Sequence, residues 1–248
     1  MEDKKNHEKE RTLFQLEKDN FQSLTETEKE GLINLYRSTI SFNHKLMYVL
    51  PKEYNEAFDI FLRNYGWHIR INMSLVELIP YIKLGNDAID KYFIKKLKRS
   101  LSQIKRNAIK RFPHREKSIQ LAFKAHRRGE YELSIPAFLI LSDGIFREMT
   151  KADVFSKKSS EKIQFIEKLK NNEKTTPIMA YTIEAVINGD IIGIGFSKEG
   201  YKEYPHLLNR NRIIHGADYE FGCEVNSYKA ISQFEFILEN VYSVLNVN

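Results

Sequence analysis

Apolar residues recur along this chain mainly at helical spacing. The clearest case follows Asn86, where Ile89, Phe93, Leu97, Leu101, Ile104 and Ala108 repeat every three or four positions. That period marks one face of a long helix. Asn86 is a candidate cap, and Phe112-Pro113 ends the run because a residue before proline is pushed out of the helical region. Upstream, Thr25 to Glu28 reads as a helix start, followed by Leu32, Leu35, Tyr36 and Ile40. Pro51 opens another helix, with Tyr54, Ala57, Phe58, Phe61 and Leu62 on its face and an end near Gly66. A further helix is expected over Ile71 to Leu84, kinked or shortened by Pro80.

Beyond Pro113 the same period continues. It predicts helices over Glu116 to Gly129, Tyr131 to Met149 and Ser160 to Lys170, and a last one over Asn226 to Leu245. In the second of these, Leu133, Ala137, Phe138, Leu141, Ile145 and Phe146 are the expected buried positions. Pro177 suits the first position of a helix ending at Asn188-Gly189-Asp190. A short strand through Ile191 to Phe196 has little support, and residues 1 to 22 read as a frayed or loosely docked helix. The expectation is an all-α protein. Its regions are residues 1–112, ending in a basic helix, and residues 113–248, a helical domain.

Composition agrees with that class. Of 248 residues, 42% are hydrophobic, and only 11 Gly and 6 Pro interrupt the helix formers. A single cysteine, Cys223, excludes an intramolecular disulfide and fits a reducing compartment. As a lone thiol it reads as a small buried hydrophobe. The charged N-terminus does not resemble a secretory signal, and no apolar run suits a membrane span. These features favour a cytoplasmic chain with no membrane partner.

Charge is unevenly distributed. The net charge is +6, yet Lys91 to Arg128 holds 14 Lys or Arg against Glu116 alone, leaving −7 for the rest. Such a segment suits a polyanion, with nucleic acid ahead of membrane. Lys98, Arg99, Lys105 and Arg106 lie largely off the apolar stripe and are candidate contacts to RNA phosphates. A solvated helix face is the competing reading.

Nucleotide-binding glycine loops and the zinc-protease helix motif are absent. Asp87 and Asp90 read as ordinary acids at a helix start. The remaining candidate chemistry is Arg210 and His215. Histidine exchanges a proton near neutrality. Arginine is a permanent cation whose planar fork fits phosphate. Together they form a minimal kit for cleaving RNA without a metal or other cofactor. Asn211 and His215, four apart, share a helix face. Arg210, five from His215, reaches it only through its long side chain or an irregular helix start. Asp143, mid-helix on an otherwise apolar stretch, would find a partner in Arg210 or His215, or else sits at the edge of the core. Arg212 is either an RNA contact or solvated.

The run Leu207 to Gly216, with Tyr219, Gly222, Asn226 to Ile231 and the upstream Ile135-Pro136-Ala137 and Ser142 to Ile145, resembles the HEPN superfamily. The resemblance covers roughly the last 120 residues. It implies a helical bundle whose signature is an Arg, four to six residues and a His, often with a polar residue after the Arg. It further implies an endoribonuclease of antiphage defence or a toxin, leaving a 2′,3′-cyclic phosphate. Arg210 and His215 would be catalytic, Asn211 orienting and Asp143 supporting. The resemblance also implies a homodimer that brings two motifs to one cleft, and a possible antitoxin or defence-system partner. In one toxin group a tyrosine two residues after the His is modified by the antitoxin; here Tyr219 follows by four. Spacing alone is weak, because Arg37 to His44 and Arg63 to His68 satisfy it too. Only the third match carries the wider resemblance. The alternative is a non-catalytic helical module that binds RNA or protein.

Overall fold

Every element among the described residues is helical, and no strand is present there. The structure, a computed structural model, describes residues 25–44, 61–70, 75–152, 160–172 and 206–245, with Met73, Thr175, Met179, Ala180, Ile183 and Glu184 between them. By contacts the chain divides into residues 1–49 and 50–248. In the first unit α1 spans Glu26–His44. It starts as expected, with the Thr25 carbonyl accepting from the Lys29 amide at 3.0 Å. The readings of residues 1 to 22, the Pro51 start and the strand at 191–196 lie outside the described residues.

In the second unit a π-turn over Phe61–Tyr65 leads to Gly66, where φ is +73°. A 3-10 turn, Leu75–Leu78, precedes α2, Ile79–Leu84. Pro80 thus stands in the first turn of a short helix, where its missing amide costs nothing, and does not kink a longer one. The long basic helix α3 spans Asn86–Arg111 and buries Ile89, Phe93, Leu97, Ile104 and Ala108, with Leu101 partly buried. Its N-cap is Gly85, not Asn86. Asn86 instead meets His206, with Nδ2 and Nε2 2.6 Å apart.

After a 3-10 turn at Pro113–Arg115 come α4, Glu116–Arg127, and α5, Tyr131–Thr150. Pro113 breaks the helix inside this unit, since α3 packs against α4 and against the C-terminal helix. Helix α6 is Ser160–Lys170, α7 is the single turn Arg210–Ile214, and α8 is Glu224–Phe236. A π-helical segment, Ile237–Val241, carries α8 into α9, Tyr242–Leu245. The core is aromatic where α4, α5 and α8 meet: Phe123 lies 4.9 Å from Phe138 and 6.2 Å from Phe234, centroid to centroid. Trp67 is fully buried and stacked on Phe93 of α3 at 4.8 Å.

Two features of α5 and α8 set up the candidate site. From Ser227 to Phe236, α8 is buried on all sides, so its charges need internal partners. Lys229 donates to the His206 carbonyl at 2.8 Å, and Glu235 accepts from Arg70. Burial lowers the Lys229 pKa and raises that of Glu235, with Asp90 and Arg70 opposing each shift. On α5 the expectation for Leu133 is overturned: it is 64% exposed, as is Ile140 at 60%. The two are seven apart and share a face, while Phe138, Leu141, Ile145 and Phe146 turn inward as expected.

Candidate functional site

The Arg210–His215 segment is one helical turn with defined ends. Asn209 is its N-cap, and its side chain accepts from the Arg212 amide at 3.1 Å. Ile213 is 5% exposed and anchors the turn in the core. The His215 amide donates to the Asn211 carbonyl at 3.1 Å, and Gly216, with φ +69°, ends the helix. Arg210 is therefore the first helical residue after a regular cap, which leaves its long side chain as the way to reach residues further round the turn.

The turn packs on α5, and Asp143 of α5 faces it. Arg210 Nη2 lies 3.7 Å from Asp143 Oδ2, each side chain about a quarter exposed. Arg210 Nη1 also donates to Asn211 Oδ1 at 3.2 Å. The guanidinium is thus held by a carboxylate from one helix and an amide from its own. Asp143 takes Arg210 as its partner, one of the two arrangements the sequence left open. His215 is exposed at the end of the same turn.

Arg212 holds the backbone of its own segment. Its Nη2 donates to the Ala217 carbonyl at 3.0 Å, and its own carbonyl accepts from the Ala217 and Asp218 amides. It fastens the loop that leaves the turn. That loop runs back along α5: at Gly222 an added Cβ would stand 2.2 Å from Glu132 Oε1. Tyr219 on the loop is 84% exposed. Cys223, expected to be buried, is exposed just before α8, because the residue lies in the loop and not in the packed helix.

The two competing Arg-to-His matches separate by environment. His68 is buried beside Phe236, and burial pushes its pKa down to about 3. It cannot exchange protons with a bound substrate near neutrality. Arg37 and His44 lie within the continuous helix α1.

Three of the four candidate RNA contacts on α3 converge elsewhere. Lys98, Lys105 and Arg106 line a cavity of about 560 Å³, together with Arg127 of α4. Arg99 is exposed on α3 outside it. The floor holds side chains the sequence did not single out. His126 is 5% exposed, with Nδ1 2.8 Å from Ser227 Oγ, which in turn lies 2.8 Å from Ser134 Oγ. Burial, reinforced by Arg127, lowers the His126 pKa to about 4, so the ring is neutral at neutral pH. Burial and the Glu224 carboxylate raise the pKa values of Tyr131 and Tyr228. No local pattern signals this group, because His126 and Ser227 are 101 positions apart.

Tyr131, at the cavity, and Asp143, at Arg210, are both on α5. Twelve residues at roughly 1.5 Å each separate them by about 18 Å along the helix. No described helix is long and apolar enough to cross a membrane. No protein-family model, curated protein or solved structure matches the chain.

Proposed function

We propose that the chain is a metal-independent endoribonuclease of the HEPN type, acting in antiphage defence or as a toxin. The observation that carries this reading is the Arg210–Asp143 pair, 3.7 Å apart, with an exposed His215 capping the C-terminal end of the same turn. The defence role rests on the resemblance of the last 120 residues.

In this mechanism a neutral His215 imidazole takes the proton from a ribose 2′-hydroxyl. The oxygen attacks the adjacent phosphorus, and the bond to the next nucleotide's 5′-oxygen breaks. That oxygen leaves with a proton from an imidazolium. The products are a 2′,3′-cyclic phosphate and a 5′-hydroxyl end. Arg210 donates to the non-bridging oxygens, whose negative charge grows in the transition state. Asp143 and Asn211 fix the fork of that guanidinium before substrate arrives, so less of the binding energy goes into ordering it.

Base and acid are two jobs, and one turn supplies one histidine. The reading takes the second from another copy of the chain. Leu133 and Ile140, exposed on the face of α5 beside the Asp143–Arg210 contact, and Ile214, at 36% exposure, support a self-association surface there.

Purified protein is expected to cleave RNA in EDTA, and His215→Ala to abolish cleavage. Activity that survives this substitution, or that needs a divalent ion, overturns the mechanism. Toxicity on expression, relieved by Arg210→Ala, would test the biological role. One observation favours a second reading, a non-catalytic RNA-binding module: the cations of α3 gather at a cavity whose lining does not include His215. RNA binding with neither cleavage nor toxicity would select it.

A further inference from the structure

The basic segment is not uniformly available to a ligand. Lys96 pairs with Glu77, Arg111 with Glu239, Arg115 with Glu148 and Arg128 with Glu130. The cations that line the cavity have no carboxylate partner among the described residues; Arg106 donates only to Gln103, at 2.6 Å. Four cations without a carboxylate partner among the described residues therefore line one concavity, and a nearby anion would gain from all of them.

The rest of the lining has another character. Tyr131, Tyr228 and Glu224 line it, and the neutral His126 has only Nδ1 engaged, by Ser227. A phosphate is disfavoured beside the Glu224 carboxylate. A nucleobase is not: its face suits the tyrosine rings, and an exocyclic amino group or ribose hydroxyl suits the carboxylate. A volume of about 560 Å³ matches one small ligand.

We infer that this cavity is a subsite for one unpaired ribonucleotide of an RNA strand, its phosphates toward Lys98, Lys105, Arg106 and Arg127 and its base toward Tyr131 and Glu224. The identity of the strand as the substrate rests on the proposed function, while the site stands on the cavity's own chemistry. The separation of about 18 Å along α5 equals roughly five nucleotides of a stacked strand. About five nucleotides beyond this subsite is therefore the length of strand needed to reach the position of Asp143 on the same helix.

The test is binding of a short 2′-O-methyl oligoribonucleotide to the full chain, followed by fluorescence anisotropy across a salt series. The methyl groups remove the nucleophile, so the probe is not consumed. Two charge reversals on the same exposed helix are compared, Lys98→Glu with Arg106→Glu and Lys95→Glu with Arg99→Glu. The cavity pair is expected to weaken binding about tenfold more than the outer pair. It should also reduce the slope of log affinity on log salt by about 1.4, two single-strand phosphate contacts. Equal losses from both pairs overturn the site in favour of a diffuse basic face. A 5-iodouridine probe should cross-link at Tyr131 or Tyr228, and cross-links confined to other residues overturn the assignment. AMP binding as tightly as the oligonucleotide overturns the assignment to a strand. His215→Ala should bind the probe normally, so cleavage that persists in this variant with intact cavity binding refutes the catalytic reading alone.

Discussion

Acid should unfold the second unit through His68, and the size of the effect follows from its surroundings. The imidazole is 9% exposed, and neither ring nitrogen has a hydrogen-bond partner. Arg70, Lys96 and Glu235 line the small space beside it, with Arg70 and Glu235 already paired. Burial holds the folded pKa at about 3, against 6.5 for an exposed histidine. Between those values the unfolded chain binds a proton that the folded chain does not, so stability falls as pH falls. Integrated from pH 7.5 to pH 5, the loss is about 2 kcal/mol. For a unit of this size that lowers the melting temperature by about 4–8 °C. The assay is urea unfolding at both pH values, followed by fluorescence of Trp67, the sole tryptophan, next to His68 and fully buried. His68→Leu removes the titrating ring. Its stability relative to the native chain should rise by about 2 kcal/mol between pH 7.5 and pH 5, whatever its stability at neutral pH. His126 contributes to the acid limb in the same direction and stays in both proteins. An unchanged acid slope in His68→Leu would refute the argument, because some other group would then carry the proton linkage.

Three further outcomes test the positions around the turn. Asp143→Asn keeps the shape of the side chain and removes its charge; cleavage should fall about tenfold, while stability changes by less than about 1 kcal/mol, the usual range for a partly exposed pair. Ile140→Asp should leave the fold intact, shift sedimentation toward monomer and remove cleavage, since the residue is exposed in one chain. A dimer that persists would locate the contact elsewhere. Gly66→Ala forces a side chain into the left-handed region and sets its Cβ 2.4 Å from the His206 carbonyl oxygen, for a cost of about 2–5 kcal/mol. Gly129→Ala, at φ +75° with open space around it, should cost only about 1 kcal/mol. Equal costs, read from urea midpoints, would mean that the contact with His206 contributes nothing.

Legibility in the sequence tracks how local each cause is. The stripe on α3 was readable because its burial repeats with the helix period, from Ile89 to Ala108. Helix α8 has almost no such signal, since it is buried all round and its Lys229 and Glu235 are matched by residues far away. Nothing in Ile237 to Val241 distinguishes a π-helical segment from an α-helical one by hydrophobic spacing. Leu133 looked like core because it is apolar at helical spacing, yet the face it shares with Ile140 is uncovered in the single chain. In the candidate site, the cost of an isolated charge points Asp143 toward Arg210 or His215, or to the edge of the core, and the packing of α7 on α5 sets Arg210 beside it. The cavity was half legible: helix phase put three lysine and arginine positions off the core stripe, but their convergence with Arg127, His126 and Tyr131 depends on how α3, α4 and α5 pack.

Helix α5 acts as a ruler for both regions, and the loop after His215 is where that can be tested. The turn is fixed to α5 at Asp143, and the loop touches the same helix again at Glu132, eleven residues earlier. In Gly222→Ala the added Cβ would meet Glu132 Oε1 at 2.2 Å, Cδ at 2.4 Å and Cγ at 2.8 Å. Either the Glu132 side chain swings away or the loop lifts. Glu132 is exposed and Gly222 lies outside the core, so global stability should change by less than about 1 kcal/mol. If the loop lifts, the change reaches Arg212, which holds Ala217, and from there Arg210 and His215 on the same turn. Cleavage should then fall severalfold with the urea midpoint unchanged, and Glu132→Ala should restore it in the double variant by removing the clash. Full activity in Gly222→Ala would mean that Glu132 simply moves aside. Lost activity that Glu132→Ala does not restore would mean that the loop needs glycine for a reason other than its fit against α5.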